Sequence, residues 1–171
     1  MRQLMDAVYR GLMFLSGLSM LTAFLAVMAG IADRQMAWGL RGLDAYAGYA
    51  IAAALFLALP QTLQRGEHIR VSLLVQRLPA VWRGVLEWWS LGAALALSGA
   101  LAFYALRLVW VSYTTHDVSQ GSDATPLWIP QIAMALGCIG LALAFADALV
   151  SRAVGAAFFR EAAPGEAARV E

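Results

Sequence analysis

Few residues in this chain could do chemistry, and their placement limits what they can do. There are two histidines, His68 and His116, and one cysteine, Cys138. A haem or structural metal site needs imidazoles or thiolates that converge on one point. His68 and His116 fall in separate polar connections between apolar runs, expected on opposite sides of a membrane, and cannot meet. Cys138 lies inside an apolar run, where a lone thiol supports neither a disulfide framework nor a Cys cluster, and it is read as packing. The sequence holds no Gly-rich phosphate loop, no Ser/His/Asp set and no paired carboxylates. No enzymatic activity and no cofactor or metal are expected. A net charge of +1 projects no field that would gather nucleic acid.

Three ionisable residues stand within or at the mouths of the apolar runs: Asp44, Arg107 and Asp147. A charge buried in hydrocarbon is costly, and where it persists it marks an ion path, a relay or a partner. Asp44 is at the outer end of the second run, Arg107 near the outer end of the third, and Asp147 near the inner end of the fourth. Each can reach the headgroups by snorkelling. Arg107 can equally form an ion pair with a partner, and Asp147 can pair with a cytoplasmic arginine. A polar stripe through several spans, which an independent transporter needs, is absent.

The elements that position these residues follow from hydropathy. Hydrophobic residues make up 61% of the chain and its mean hydropathy is +0.68. Four runs are long enough to cross a bilayer, which takes about 20 apolar residues. The expected fold is an all-α polytopic membrane protein with spans at about 11–31, 43–63, 86–112 and 127–150. Residues 1–150 then form one four-helix membrane domain, and 151–171 a partly disordered cytoplasmic tail. The first span is longer than a signal-peptide core and is read as retained. Pro60 is expected to kink or end the second span, and Thr125-Pro126 to cap the fourth, with Thr125 at N-cap and Pro126 at N1.

The longest polar interruption runs from Arg65 to Pro79. Val71, Leu74, Val75, Leu78, Val81, Trp82 and Val85 share one helical face, while Arg70, Ser72, Gln76, Arg77 and Arg83 lie on the other, with Leu73 the exception. Such a segment, about residues 66–85, is expected to lie as a short amphipathic helix in the membrane interface, touching lipid headgroups. The arm, this segment and the tail hold Arg2, Arg10, Arg65, Arg70, Arg77, Arg83, Arg152, Arg160 and Arg169; the two other connections hold only Arg34 and Arg41. That bias places both termini in the cytoplasm. Small residues at four-residue steps, Gly92-Ala96-Ala100 in the third span and Gly140-Ala144-Ala148 and Cys138-Ala142-Ala146 in the fourth, permit close helix contacts.

Gly66-Glu67-His68-Ile69-Arg70-Val71, Leu73-Leu74, Leu78-Pro79 and Arg83, followed by Thr125-Pro126-Leu127-Trp128-Ile129-Pro130, resemble segments of the small membrane subunit, DctQ type, of tripartite ATP-independent periplasmic (TRAP) transporters. Asp44-Ala45 stands where such subunits often carry Glu, and Ser72 where Asp is usual. The resemblance implies a non-catalytic subunit in the bacterial inner membrane. It would brace a large elevator-type membrane subunit and help dock a periplasmic substrate-binding protein, in ion-driven uptake of small carboxylates such as dicarboxylates or sugar acids. Arg65, Glu67, His68, Arg70, Arg77, Trp82, Arg83, Arg107 and Asp147 are then candidates for contact with that subunit or with lipid, and Asp117, Gln120 and Asp123 for docking the binding protein. The rival readings are a small independent transporter and a membrane anchor or assembly subunit of another complex. An anchor for a redox enzyme would want intramembrane histidines.

Overall fold

A computed structural model describes residues 2–65 and 79–155. Of the expected interfacial segment, about residues 66–85, the part from Gly66 to Leu78 with Glu67, His68, Arg70 and Arg77 lies outside the described residues, as do the tail beyond Gly155 and the side chain of Arg83. Residues 80–85, expected in that segment, instead begin the third long helix. Four helices carry the chain: α1 (Arg2–Met36), α2 (Leu43–Gln64), α3 (Ala80–Thr114) and α4 (Trp128–Val154). All four are long and apolar enough to cross a membrane, and no strand is present among the described residues. Helix α1 absorbs both the N-terminal arm and the start of the first polar link. Its 35 residues extend about 52 Å, well beyond the hydrocarbon layer.

The helices form a row in the order α1, α2, α4, α3, with α2 and α4 at the centre. Along α1 the buried and half-buried positions follow alternating steps of four and three. On α1, Tyr9, Ser16, Ala23 and Gly30 are buried, and Met5, Leu12, Ser19, Ala26 and Asp33 between them are half-buried. This is the seam of left-handed helix packing, one narrow stripe per neighbour. Helix α2 has two such seams. Ala47, Ala54, Leu57, Gln61 and Gln64 lie on the side facing α1, and Pro60 and Leu63 are also buried. Two rungs fix the antiparallel register of α1 and α2: Ser16 Oγ donates to the Ala54 carbonyl at 2.7 Å, and Gln64 Nε2 to Asp6 Oδ1 at 2.6 Å.

Helix α4 likewise serves two neighbours. Ala144 and Ala148 pack with Tyr9 and Leu63. Ala135 and Cys138 pack with Ala102 and Ala105 of α3, where Phe56 and Ala142 also join. Cys138 is thus core, wholly buried among alanines. Pro60 neither ends α2 nor stops its hydrogen-bonded run, which continues to Gln64. A proline lacks the N–H that would bond the carbonyl four residues earlier, here that of Phe56. Gly137 of α4 sits directly on this carbonyl, so close that a Cβ there would overlap it. A Cα–H contact can partly satisfy the freed oxygen. One turn on, a Cβ at Gly140 would lie 2.6 Å from the Pro60 ring and 2.8 Å from Leu12. Pro60 and the two glycines form one notch joining α1, α2 and α4.

Candidate functional site

Three surfaces could meet other molecules: the loop end, the terminal end, and the outward faces of α1 and α3. At the loop end, α3 stops at Thr114 and the chain turns through His116, whose φ of 55° is left-handed. It then makes a short antiparallel bridge, Val118 to Pro126. Ser119 N donates to the Thr125 carbonyl at 2.8 Å and Leu127 N to the Asp117 carbonyl at 3.0 Å. Pro126 is therefore extended and α4 begins two residues later, at Trp128. Thr125 does not cap α4 as expected; its hydroxyl lies 3.3 Å from the Tyr46 hydroxyl of α2 and donates to it.

Asp123 is the hub of this clasp. Its Oδ1 accepts from Ser119 Oγ at 2.8 Å, and its Oδ2 from the Tyr49 hydroxyl at 3.1 Å and the Thr125 backbone N–H at 3.3 Å. Hydrogen bonding from Thr125 most of all, then from Ser119 and Tyr49, holds the carboxyl down at about 2, against an opposing desolvation. Gly42, at the start of α2, has φ 83°, and a Cβ there would lie 2.6 Å from that of Asp123. Glycine is required at this position both by the backbone angle and by the close approach. Beside the clasp, Arg34 pairs with Asp44 at 3.2 Å, both well exposed, and Asp33 Oδ1 accepts from Leu40 N at 2.9 Å. Asp117 and Gln120 are exposed, with His116 and Ser122.

The family whose model matches residues 23–155 is described as tripartite ATP-independent periplasmic transporters, DctQ component. The chain belongs to that family. No curated protein and no solved structure matches it. This DctQ component is a multi-pass membrane protein, the small membrane component of a tripartite transporter and a member of a complex with its other components.

At the terminal end of the DctQ component, the starts of α1 and α3 meet the ends of α2 and α4. Arg65 is exposed just beyond α2, where its N–H bonds the Gln61 carbonyl at 3.0 Å. Trp82 is exposed on α3. Asp147 is half-buried on α4, near enough to Tyr9 to act on its phenol electrostatically, as Asp6 also does. The α1–α2 register sets Tyr9 opposite Gln61. Both residues are buried, and neither the Tyr9 hydroxyl nor Gln61 Oε1 has a hydrogen-bond partner among the described residues. A pair absent from the sequence reading closes the α3–α4 seam: Arg152 Nη2 to Glu87 Oε2 at 2.7 Å. Opposite charges near the ends of two neighbouring spans are its only sequence signal. The structure therefore separates the candidates. Arg65, Trp82 and Asp147 share the terminal end, Asp117, Gln120 and Asp123 share the loop end, and Arg107 stands apart on the outward face of α3.

Proposed function

We propose that this chain is the non-transporting brace of an ion-gradient-driven TRAP transporter for small carboxylates. On this reading it lies in the bacterial inner membrane with both termini cytoplasmic, holds the large membrane subunit at a fixed depth, and widens the docking face for the substrate-binding protein. The carrying observation is where the polar groups lie. Moving a carboxylate across hydrocarbon takes a polar site near the midplane, supplied by broken helices or paired charges. The polar side chains buried along the helix seams here are serines, and the charges and buried glutamines gather towards the two ends. The single proline break is filled by the glycine notch of α4. Asp117 and Gln120 present the exposed docking groups, and Asp123 shapes the loop that carries them. The arginines of the 66–85 segment meet anionic headgroups, each contributing roughly 1 kcal/mol.

Reconstitution tests the proposal. Liposomes receive this chain alone, the large subunit alone, or both, each with binding protein and an imposed sodium gradient. Uptake is expected only when both are present. Uptake by this chain alone, or full uptake without it, overturns the brace. Cysteines placed at Ser122 and Ser72 should label from opposite sides of the membrane; labelling of both from the periplasm overturns the topology.

A further inference from the structure

We infer that the outward face of α3 is the surface on which a transmembrane helix of the large membrane subunit docks, with a carboxylate on that helix pairing with Arg107. The inference rests on the brace reading above and adds the surface and the chemistry of the contact.

Helix α3 presents its core side through Ser98, Ala102, Ala105 and Ser112, all buried. Arg107 lies half a turn round the helix from that stripe, at the centre of the opposite face, and is exposed. It makes no ion pair or hydrogen bond among the described residues. Its surroundings are a shallow groove lined by Tyr104, Leu108 and Val111, which offers no counter-charge. Along the same face, Trp89, Ala96, Ala100, Phe103 and Trp110 are exposed.

The depth of Arg107 can be read from the tryptophans. Trp89 and Trp110 are separated by about 31 Å of helix, which matches the hydrocarbon thickness of about 30 Å. Taken as the two aromatic belts, they leave Arg107 about 4.5 Å inside the nearer belt. Long helical side chains lean towards the helix N-terminus. The headgroups nearest Arg107 lie at the C-terminal end of α3, so the preferred lean carries its guanidinium deeper rather than out. This argument holds whichever way the chain faces.

A cation held at that depth calls for an anion at that depth. A lipid acyl chain can fill the groove but brings no charge there, whereas a helical Asp or Glu supplies a carboxylate that the planar guanidinium binds in bidentate fashion. Two to three turns towards the start of α3, Ala96 and Ala100 present only methyl groups, and one turn beyond them Gly92 has open space where a side chain would stand. A second helix can approach closely there. The face combines a charge to specify the partner with small residues to admit its backbone.

The test is co-purification of the large subunit with this chain from co-expressing cells, with thermal unfolding of each variant chain checking its fold. Arg107→Gln and Ala96→Leu should each cut recovery of the large subunit about tenfold or more, with the chain's own unfolding unchanged. Leu21→Trp, on the outward face of α1, should leave recovery at the wild-type level. If Arg107→Gln keeps full recovery and instead loses bound anionic lipid, the face is lipid-covered and the inference is overturned. Equal loss with Leu21→Trp overturns it in favour of α1. If the wild-type chain recovers no large subunit, the brace reading falls together with this one, which the variants alone cannot cause.

Discussion

Two ridges of small residues have the same spacing and opposite fates. Gly140-Ala144-Ala148 on α4 is buried against α1 and α2, and Gly137 brings the backbones so close that nothing larger than glycine fits over the Phe56 carbonyl. Gly92-Ala96-Ala100 on α3 is open, and a Cβ at Gly92 would meet nothing. In lipid, small residues permit close approach but do not drive it, because the tails are as apolar as any side chain. What fills the α4 ridge is a specific counterpart, a proline-freed carbonyl and a ring that fit the notch. The α3 ridge has no such counterpart among the described residues and remains open there.

That contrast can be broken by substitution. The largest expected effect is Gly137→Ala, where the added methyl would overlap backbone that cannot swing aside; overpacking of this kind costs about 3 kcal/mol, seen as a lowered unfolding temperature in detergent. Gly42→Ala should follow at about 2 kcal/mol, from a strained left-handed angle and a clash with Asp123, read as faster proteolysis of the 115–127 loop. The Asp123 clasp also has a pH signature. Its carboxyl is depressed in the folded chain, so its contribution is fully present above about 4, the unfolded value, and is lost as pH falls through about 2. Loop protection should therefore be flat from neutral pH down to about 4, and Asp123→Asn should remove that acid dependence. Tyr9→Phe removes a buried hydroxyl that has no partner among the described residues; stability should hold or rise by up to about 1 kcal/mol. Arg152→Ala breaks a half-exposed pair and should cost about 0.5 kcal/mol or less. At the small end, Ala100→Leu on the open ridge should leave the isolated chain within about 0.5 kcal/mol of wild type. An effect there as large as that of Gly137→Ala would erase the distinction between the two ridges.

Hydropathy is a local sum, so the sequence by itself determined that four helices are long and apolar enough to cross a membrane. It also determined the family, because the motifs that carry it are short and in order. It located the small-residue ridges for the same reason. It could not determine which ridge is filled, because in lipid both faces of a helix are apolar and periodicity loses its power to tell inside from outside. Tertiary structure alone decided the row α1–α2–α4–α3 and placed Gly137 on the carbonyl that Pro60 frees. Tertiary structure also turned Asp123 inward onto Tyr49, while Asp117 stayed exposed six residues earlier in the same loop. The two are equally polar in sequence. Asp123 has local partners in Ser119 and Thr125, but its bond from Tyr49 and the close approach of Gly42 join residues far apart along the chain, where no local pattern records them.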